Sequence, residues 1–403
     1  MADGITRIAV EGFKSISKRQ SIDIAPLTIL AGANSSGKSS IMQPLLLLKQ
    51  TLEAPFDPGP LFLSGPNIQF TSSNEFLSRS SDGQCTKFSA EVAASHLDFH
   101  VIFSKHSGKG LEIAEEVMKD SAFQKIISLR PGMSAADIAH ELELVAPNND
   151  LSIIPQRIFL TVAGGGIQES PMTNIAPWID DVIHVPGLRG NRSRTFMVAA
   201  VGRNFPGTFD NYTASVILLW QKQGRQNNNY ADLNNELQRL GLGRKVSAHQ
   251  INEASIQLMV DDYDIADVGF GVSQILPVLV ALGSASDGQL VYLEEPEIDL
   301  HPRAQDALAR ILANAAKRGV RVVAETHSSL LLRALQTLIA KGEIARELLR
   351  FHWFSRDSEG VTEVRSVTPD QNGAFGDWPE DFGDVALQSE KEYLDAVESK
   401  LVR

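Results

Sequence analysis

The run Gly32-Ala33-Asn34-Ser35-Ser36-Gly37-Lys38-Ser39 sets two glycines, a lysine and a hydroxyl at the offsets that cradle the phosphates of a nucleotide. The glycines let backbone N–H groups wrap a β-phosphate at a helix N-terminus, with Ser40 following in the same turn. Lys38 can neutralise the β and γ oxygens, and the Ser39 hydroxyl can ligate Mg2+. Much later, "GQLVYLEEPEIDLHP" is an apolar run closing on two acids. Glu294 is suited to hold Mg2+ directly or through water, and Glu295 to polarise an attacking water. A second apolar run, "VRVVAETHSSLLL", ends in Glu325, Thr326, His327 and Ser328, from which His327 can reach a γ-phosphate. Between the loop and these acids, "VGFGVSQILPVL" places Gly269, Gly271 and Ser273 at the entry to a helix, a second anion-binding N-terminus. The first loop already cradles phosphates, which argues against a role for this second one on the same chain's nucleotide.

These residues need elements to hold them. Residues 5 to 30 read as two β segments, "ITRIAVEGF" and "SIDIAPLTILAG", the second feeding the glycine-rich loop, with a helix from Lys38. "TKFSAEVAASHLDFHVIFS" alternates apolar and polar residues with period two, which predicts an antiparallel subdomain. The stretch from Lys109 to Asn149, including "SAADIAHELELVA", reads as an inserted helical arm ending at "APNND". A strand pair is expected from Asp150 to Leu160, then helices at "TASVILLWQKQ" and "ADLNNELQRLGLG", the latter ending on a C-cap glycine. The final third alternates strand and helix, the rhythm of a parallel sheet covered by helices. "FHWFS" and "TEVRSV" follow as strands, then a turn at "NGAFGDWPEDFGD" and a short helix. The expected architecture is α/β: a P-loop NTPase with a mixed β-sheet flanked by helices, an antiparallel β subdomain and a helical insertion. The expected division is 1–108 as an N-terminal lobe with the phosphate loop, 109–150 as the insertion, and 151–403 as a C-terminal lobe.

Composition narrows the function classes. The 403 residues, 43% hydrophobic and 21% charged, are those of an ordinary globular protein large enough for a sizeable core. The single cysteine, Cys85, excludes an intrachain disulfide and a cysteine-based metal site and suits a reducing cytoplasm. The start "MADGITRIAVEGFKSI" lacks the layout of a signal peptide, and the longest apolar run, from Phe270 to Ala285, carries Gln274 and Pro277, so no membrane span is expected. A formal net charge of −12 disfavours a chain that coats nucleic acid over its whole surface. The basic stretch "GLRGNRSRTF", with Arg189, Arg192 and Arg194, is a candidate phosphate contact.

The order of phosphate loop, serine-bearing helix, acidic strand end and histidine strand resembles the ABC-type ATPases, in the soluble branch that holds the SMC, RecF and OLD (overcoming lysogenization defect) proteins. "FKSI" and "EEPEIDLHP" carry this resemblance over residues 5 to 50 and 265 to 355. "VPGLRGNRSR" and "WPEDF" further resemble a prokaryotic subgroup of stand-alone AAA-family ATPases found in anti-phage defence operons. The resemblance implies ATP and Mg2+ as ligands, and a head-to-tail homodimer in which Gly271 and Ser273 of one chain cap the γ-phosphate held at Lys38 of the other. It also implies a catalytic role for Glu295, His327 and Lys38, a metal role for Ser39 and Glu294, and communication between the sites through Asp299. "GFGVSQ" departs from the transporter signature, and Glu294 stands where an aspartate is usual. The glutamine that contacts Mg2+ and water in such enzymes is assigned to Gln69 in "SGPNIQF".

An ATP-driven switch coupled to a separate effector protein, such as a nuclease, or to nucleic acid is therefore the leading expectation. The alternatives are a scaffold that holds a toxic effector with little hydrolysis, and an autonomous SMC- or RecF-like clamp. A transporter subunit is disfavoured by the altered signature. A built-in nuclease is disfavoured by the short stretch after His327, whose acids in "GDWPEDFGD" read as a turn.

Overall fold

In the computed structural model of the chain, the residues described are 4–376, 392 and 394, less 81–82, 107–109, 145–149, 165, 190–192 and 225–226. The segment "WPEDF", the part of "GDWPEDFGD" after Gly376, the stretch expected to form the C-terminal helix apart from Glu392 and Leu394, Arg192 and most of "APNND" lie outside the described residues.

A six-stranded sheet runs through the centre in the order Ile183–Val185, Leu290–Glu294, Arg321–Thr326, Leu27–Gly32, Leu349–Arg356, Thr362–Val367. The first five strands are parallel and the last is antiparallel to its neighbour. Alternate side chains of each strand feed two different cores, as the pleat requires. Leu27, Ile29 and Ala31 pack with the helices Phe270–Ser284, Pro302–Lys317 and Ser329–Ala340 on one face. Leu30, Tyr292, Val323 and Phe354 face the helix Lys38–Glu53 and the second sheet on the other. Parallel strands covered on both faces are near-continuous apolar runs, and the strands Leu27–Gly32 and Arg321–Thr326 are buried at every residue, with Thr28, Arg321, Glu325 and Thr326 as their polar members.

The second sheet is antiparallel, ordered Gln20–Asp23, Ile5–Glu11, Lys87–Ala94, Leu97–His106, Gly110–Asp120, Lys125–Leu129. The alternation in "TKFSAEVAASHLDFHVIFS" becomes a hairpin, with Phe88, Val92, Phe99, Val101 and Phe103 turned into the core. "SIDIAPLTILAG" is divided at Ala25–Pro26: Gln20–Asp23 belongs to the antiparallel sheet and Leu27–Gly32 to the central one. Pro26 offers no N–H to a ladder, so the chain changes sheets there.

The segment expected to be a helical arm, 109–150, instead contributes two strands to the antiparallel sheet and one short helix. Gly110–Asp120 pairs with Leu97–His106 through a bulge, and Lys125–Leu129 adds the edge. The described helix in this segment is Ala135–Glu141, capped by the Ser134 side chain. The acidic run "LEIAEEVMKD" alternates enough to bury Ile113 and Met118 on the core face, and pairing with an existing hairpin overrides its helical propensity. The other expected elements form: the strand pair Ser152–Gln156 and Phe159–Gly164, the helices Thr213–Gln223 and Asn229–Arg239 with Gly241 at φ +70°, and the two C-terminal strands. A small sheet of Phe196–Met197, Ser255–Val260 and Val246–Asn252 packs beside them. Among the described residues no helix is long and apolar enough to cross a membrane.

Glu116, fully buried, ties the strand Gly110–Asp120 to the strand Phe159–Gly164. Its Oε2 accepts from the Leu160 N–H at 2.9 Å, while Oε1 has no partner among the described residues. Burial pushes its carboxyl up to about 8. The folded chain therefore keeps a proton that the unfolded chain releases from about pH 4.5 upward, and stability falls as pH rises through this window to about 8. Glu116→Gln, which copies the protonated form, is expected to abolish that loss, about 4–5 kcal/mol at pH 8.5. Denaturation midpoints of the two chains at pH 5 and pH 8.5 check this. A difference that does not grow with pH would contradict it.

Candidate active site

The phosphate loop leaves the end of the central strand Leu27–Gly32 and enters the helix Lys38–Glu53 through Gly37, at φ +105°. A side chain at Gly37 would be strained by that backbone and would bring a Cβ to 2.3 Å from Thr362 Oγ1. Thr362 in turn donates to the Ser36 carbonyl at 2.8 Å and meets Ser15 Oγ at 2.8 Å, so the loop is gripped from behind by the last strand. Ala33, Asn34 and Ser35 are exposed along the rim, Ser36 and Gly37 are buried, and Ser40 N–H bonds to the Gly37 carbonyl at the helix start. Lys38 lies inside the loop, its Nζ donating to the Gly32 and Ala33 carbonyls at 2.9 Å each. Burial lowers its pKa, offset in part by Glu325, Glu295 and Glu297.

The acid strand and the histidine strand are neighbours, with Glu294 paired to Glu325 in register. Glu295 lies just past the strand end at φ +43°, its N–H donating to the Glu325 carbonyl at 3.1 Å. Its Oε1 is 3.3 Å from His327 Nδ1, both side chains partly exposed. Glu294 turns the other way. His184 Nε2 donates to its Oε1 at 3.1 Å and the Gly187 N–H to its Oε2 at 3.0 Å. Burial raises the Glu294 pKa, but His184 and the Gly187 N–H outweigh it and hold the carboxyl below its ordinary value. Ser39 Oγ donates to Glu325 Oε2 at 2.7 Å, and Tyr292 OH donates to Glu325 Oε1. Burial, and then the charge of Glu294, push the Glu325 carboxyl up to about 8. Hydroxyl and carboxylate oxygens are the donors that a hard divalent cation such as Mg2+ takes, so Ser39 with these acids fits that ion.

Residues 4–133 match the family model described as AAA ATPase domain, and residues 225–333 match that described as AAA domain, putative AbiEii toxin, Type IV TA system. Both are ATPase domains of the AAA type. No curated protein matches the sequence. Among solved structures, the Smc head domain with an extended coiled coil bound to the C-terminal domain of ScpA, derived from Pyrococcus furiosus, is 12% identical at a TM-score of 0.45, over 98% of this chain and 100% of that one. The SmcHead bound to the C-winged helix domain of ScpA is 12% identical at 0.44, over 91% and 98%. The SMC head domain from Thermotoga maritima is 11% identical at 0.38, over 90% and 99%.

Three residues expected at the site lie differently in the structure. Arg189, expected to contact phosphates from an exposed loop, is buried and spends its guanidinium on carbonyls. Nε donates to Gln274 at 2.7 Å, one terminal nitrogen to Pro186 at 2.9 Å and Glu294 at 2.6 Å, and the other to Glu295 at 2.9 Å. Burial brings it down to about 10, still a cation at neutral pH. Arg194 instead pairs with Asp267, just ahead of the serine-bearing helix. Gln69, expected at the metal, is exposed and pairs through its backbone with Ser64, while Asn67 of the same loop reaches His184 Nδ1 at 3.0 Å. The Gln50 side chain, bonded to the backbone of Phe62, Asn67 and Ile68, fixes this loop.

Ser273, in the first turn of the helix Phe270–Ser284, donates to the Phe270 carbonyl at 2.8 Å. It lines a cavity of about 210 Å3 with Thr195, Asp210 and Thr213, to which the phosphate loop contributes no residue. A Cβ on Gly271 would come to 3.0 Å from the Asp299 carbonyl, so the acid turn packs directly on that helix start. Sequence reasoning missed His184 and Asn67, and the parts played by Arg189 and Glu325. An acid immediately before Thr326-His327 at the end of an apolar strand was the available signal for Glu325.

Proposed function

We propose that this chain is an ATP-driven switch: it binds Mg-ATP on the loop from Gly32 to Ser40, closes as a head-to-tail homodimer, and reopens on hydrolysis. The observation that carries the reading is the Glu295–His327 pair, presented at the ends of adjacent parallel strands beside the Ser39–Glu325 bond. Lys38 would bind the β and γ oxygens, Glu295 would hold and polarise the attacking water, and His327, within reach of Glu295, would face the γ-phosphate. Ser39, with an acid from the strand ends beside it, would hold Mg2+, which when bound neutralises charge developing on the transferred phosphoryl group. Glu295 would accept the proton of the attacking water.

Ser273 supports the dimer part of this reading. It stands at the start of a helix, where N–H groups are free to bind an anion, and lines a cavity outside its own chain's phosphate loop. The turn containing Asp299 packs on the same helix start, so closure on a second chain would be felt at Glu295. Coupling to a separate effector, in a defence setting, accords with a matched family description that refers to a toxin–antitoxin system.

Molar mass in solution tests the switch. Glu295→Gln with Mg-ATP is expected to double its mass relative to the nucleotide-free chain, and adding Ser273→Arg is expected to keep it monomeric while each chain still binds one nucleotide. A mass independent of nucleotide would overturn the dimer, and stoichiometric ATP without turnover in the wild type would make the chain a nucleotide-held scaffold.

A further inference from the structure

We propose that Glu325, on the strand between the phosphate-loop strand and the acid strand, is the carboxylate that orients Ser39 and completes the cation site. The proposal rests on the reading of the loop as a Mg-ATP site and names which acid serves it. By sequence that role falls to Glu294, at the end of the acid strand. The geometry divides the two acids differently. Both Glu294 oxygens are engaged on the side of the strand Ile183–Val185, one by His184 Nε2 and the other by the Gly187 N–H. The sheet order puts Arg321–Thr326 between the acid strand and the loop strand, so Glu325 is one strand nearer to Ser39.

Glu325 occupies that position with both oxygens defined. Its Oε2 accepts the Ser39 hydroxyl proton at 2.7 Å, which leaves the Ser39 lone pairs directed elsewhere and available to a cation. Its Oε1 accepts from Tyr292 OH, and Tyr292 is itself fixed: fully buried and stacked on His184 with ring centroids 5.4 Å apart. The carboxylate therefore has little freedom to turn, as a preorganised ligand support requires. Glu325 is only 3% exposed, and the nearby Lys38 ammonium donates to the loop carbonyls. A carboxylate so placed is costly without a compensating positive charge, and a divalent cation on Ser39 supplies one. Glu325 is thus a positioning residue that acts through Ser39.

The test separates cation affinity from nucleotide affinity, which a merely structural role would not do. Mn2+ is titrated by electron paramagnetic resonance into the full chain with a non-hydrolysable ATP analogue, and the same analogue is titrated without metal in EDTA. Glu325→Gln, which keeps the shape and removes the charge, is expected to weaken Mn2+ at least tenfold while metal-free analogue affinity changes less than threefold. Glu294→Gln is expected to weaken Mn2+ by less than a third as much. Wild-type Mn2+ affinity in Glu325→Gln, or a loss as large or larger in Glu294→Gln, would overturn the proposal. A wild-type chain that binds no analogue would overturn the ATP reading itself and this proposal with it. Should Glu325→Gln fail to fold, Tyr292→Phe enters the same titration: weakened Mn2+ binding supports the assignment, and wild-type affinity overturns it.

Discussion

Glu295→Gln is expected to cut ATP turnover about 10²- to 10³-fold while leaving ATP affinity within about threefold of wild type. The amide keeps the size of the side chain and can still face His327, but it cannot take a proton from water. Steady-state phosphate release and equilibrium ATP binding measure the two quantities separately. Loss of both would mean that Glu295 shapes the nucleotide pocket, and wild-type turnover would remove it as the base. The local backbone gives a further reason to expect a chemical role. Glu295 sits at φ +43°, a left-handed conformation costing on the order of 1 kcal/mol for a residue with a Cβ. It is held there by its N–H on the Glu325 carbonyl and by Arg189 on its own carbonyl. Substituting the side chain while retaining that turn should therefore affect chemistry more than folding.

Arg189→Met is expected to destabilise the chain by about 3–5 kcal/mol. The substitution removes a buried fork and leaves the carbonyls of Gln274, Glu294, Glu295 and Pro186 short of donors. It also cuts the bond joining the serine-bearing helix to the acid turn, so residual turnover should fall in the folded fraction as well. Arg189→Lys is expected to lie between, since one ammonium cannot span carbonyls on three segments. Urea midpoints for the three chains check the order. An Arg189→Met chain as stable as wild type would show that water or other side chains replace the lost donors.

The features legible in the sequence were those that local spacing encodes. The phosphate loop needs its glycines, Lys38 and Ser39 within eight residues, and the acid and histidine strands announce themselves as apolar runs that stop on charged groups. Period-two alternation gave the hairpin at Lys87–Ala94 and Leu97–His106, because one face is core and the other is not. The misses are long-range. Ser39 and Glu325 are 286 positions apart, and Arg189 meets Glu294 at a separation of 105, so neither contact leaves a periodic trace. Gly110–Asp120 was misread because its strand identity comes from its neighbour rather than from its own composition. Asn67 and Gln69 stand two positions apart with similar side chains, and only the turn held by Gln50 decides which faces His184.

The placement of the loop strand Leu27–Gly32 has a consequence for how the protein is made. Its two ladder partners are Arg321–Thr326 and Leu349–Arg356, roughly three hundred residues further along the chain. During synthesis this segment, apolar except for Thr28, leaves the ribosome some three hundred residues before either native neighbour. Contacts of such sequence separation fold slowly, and an unpaired apolar strand invites self-association. The nascent chain should therefore depend on holding chaperones, and a ribosome-stalled fragment ending near residue 150 should aggregate more than one extended through Val367.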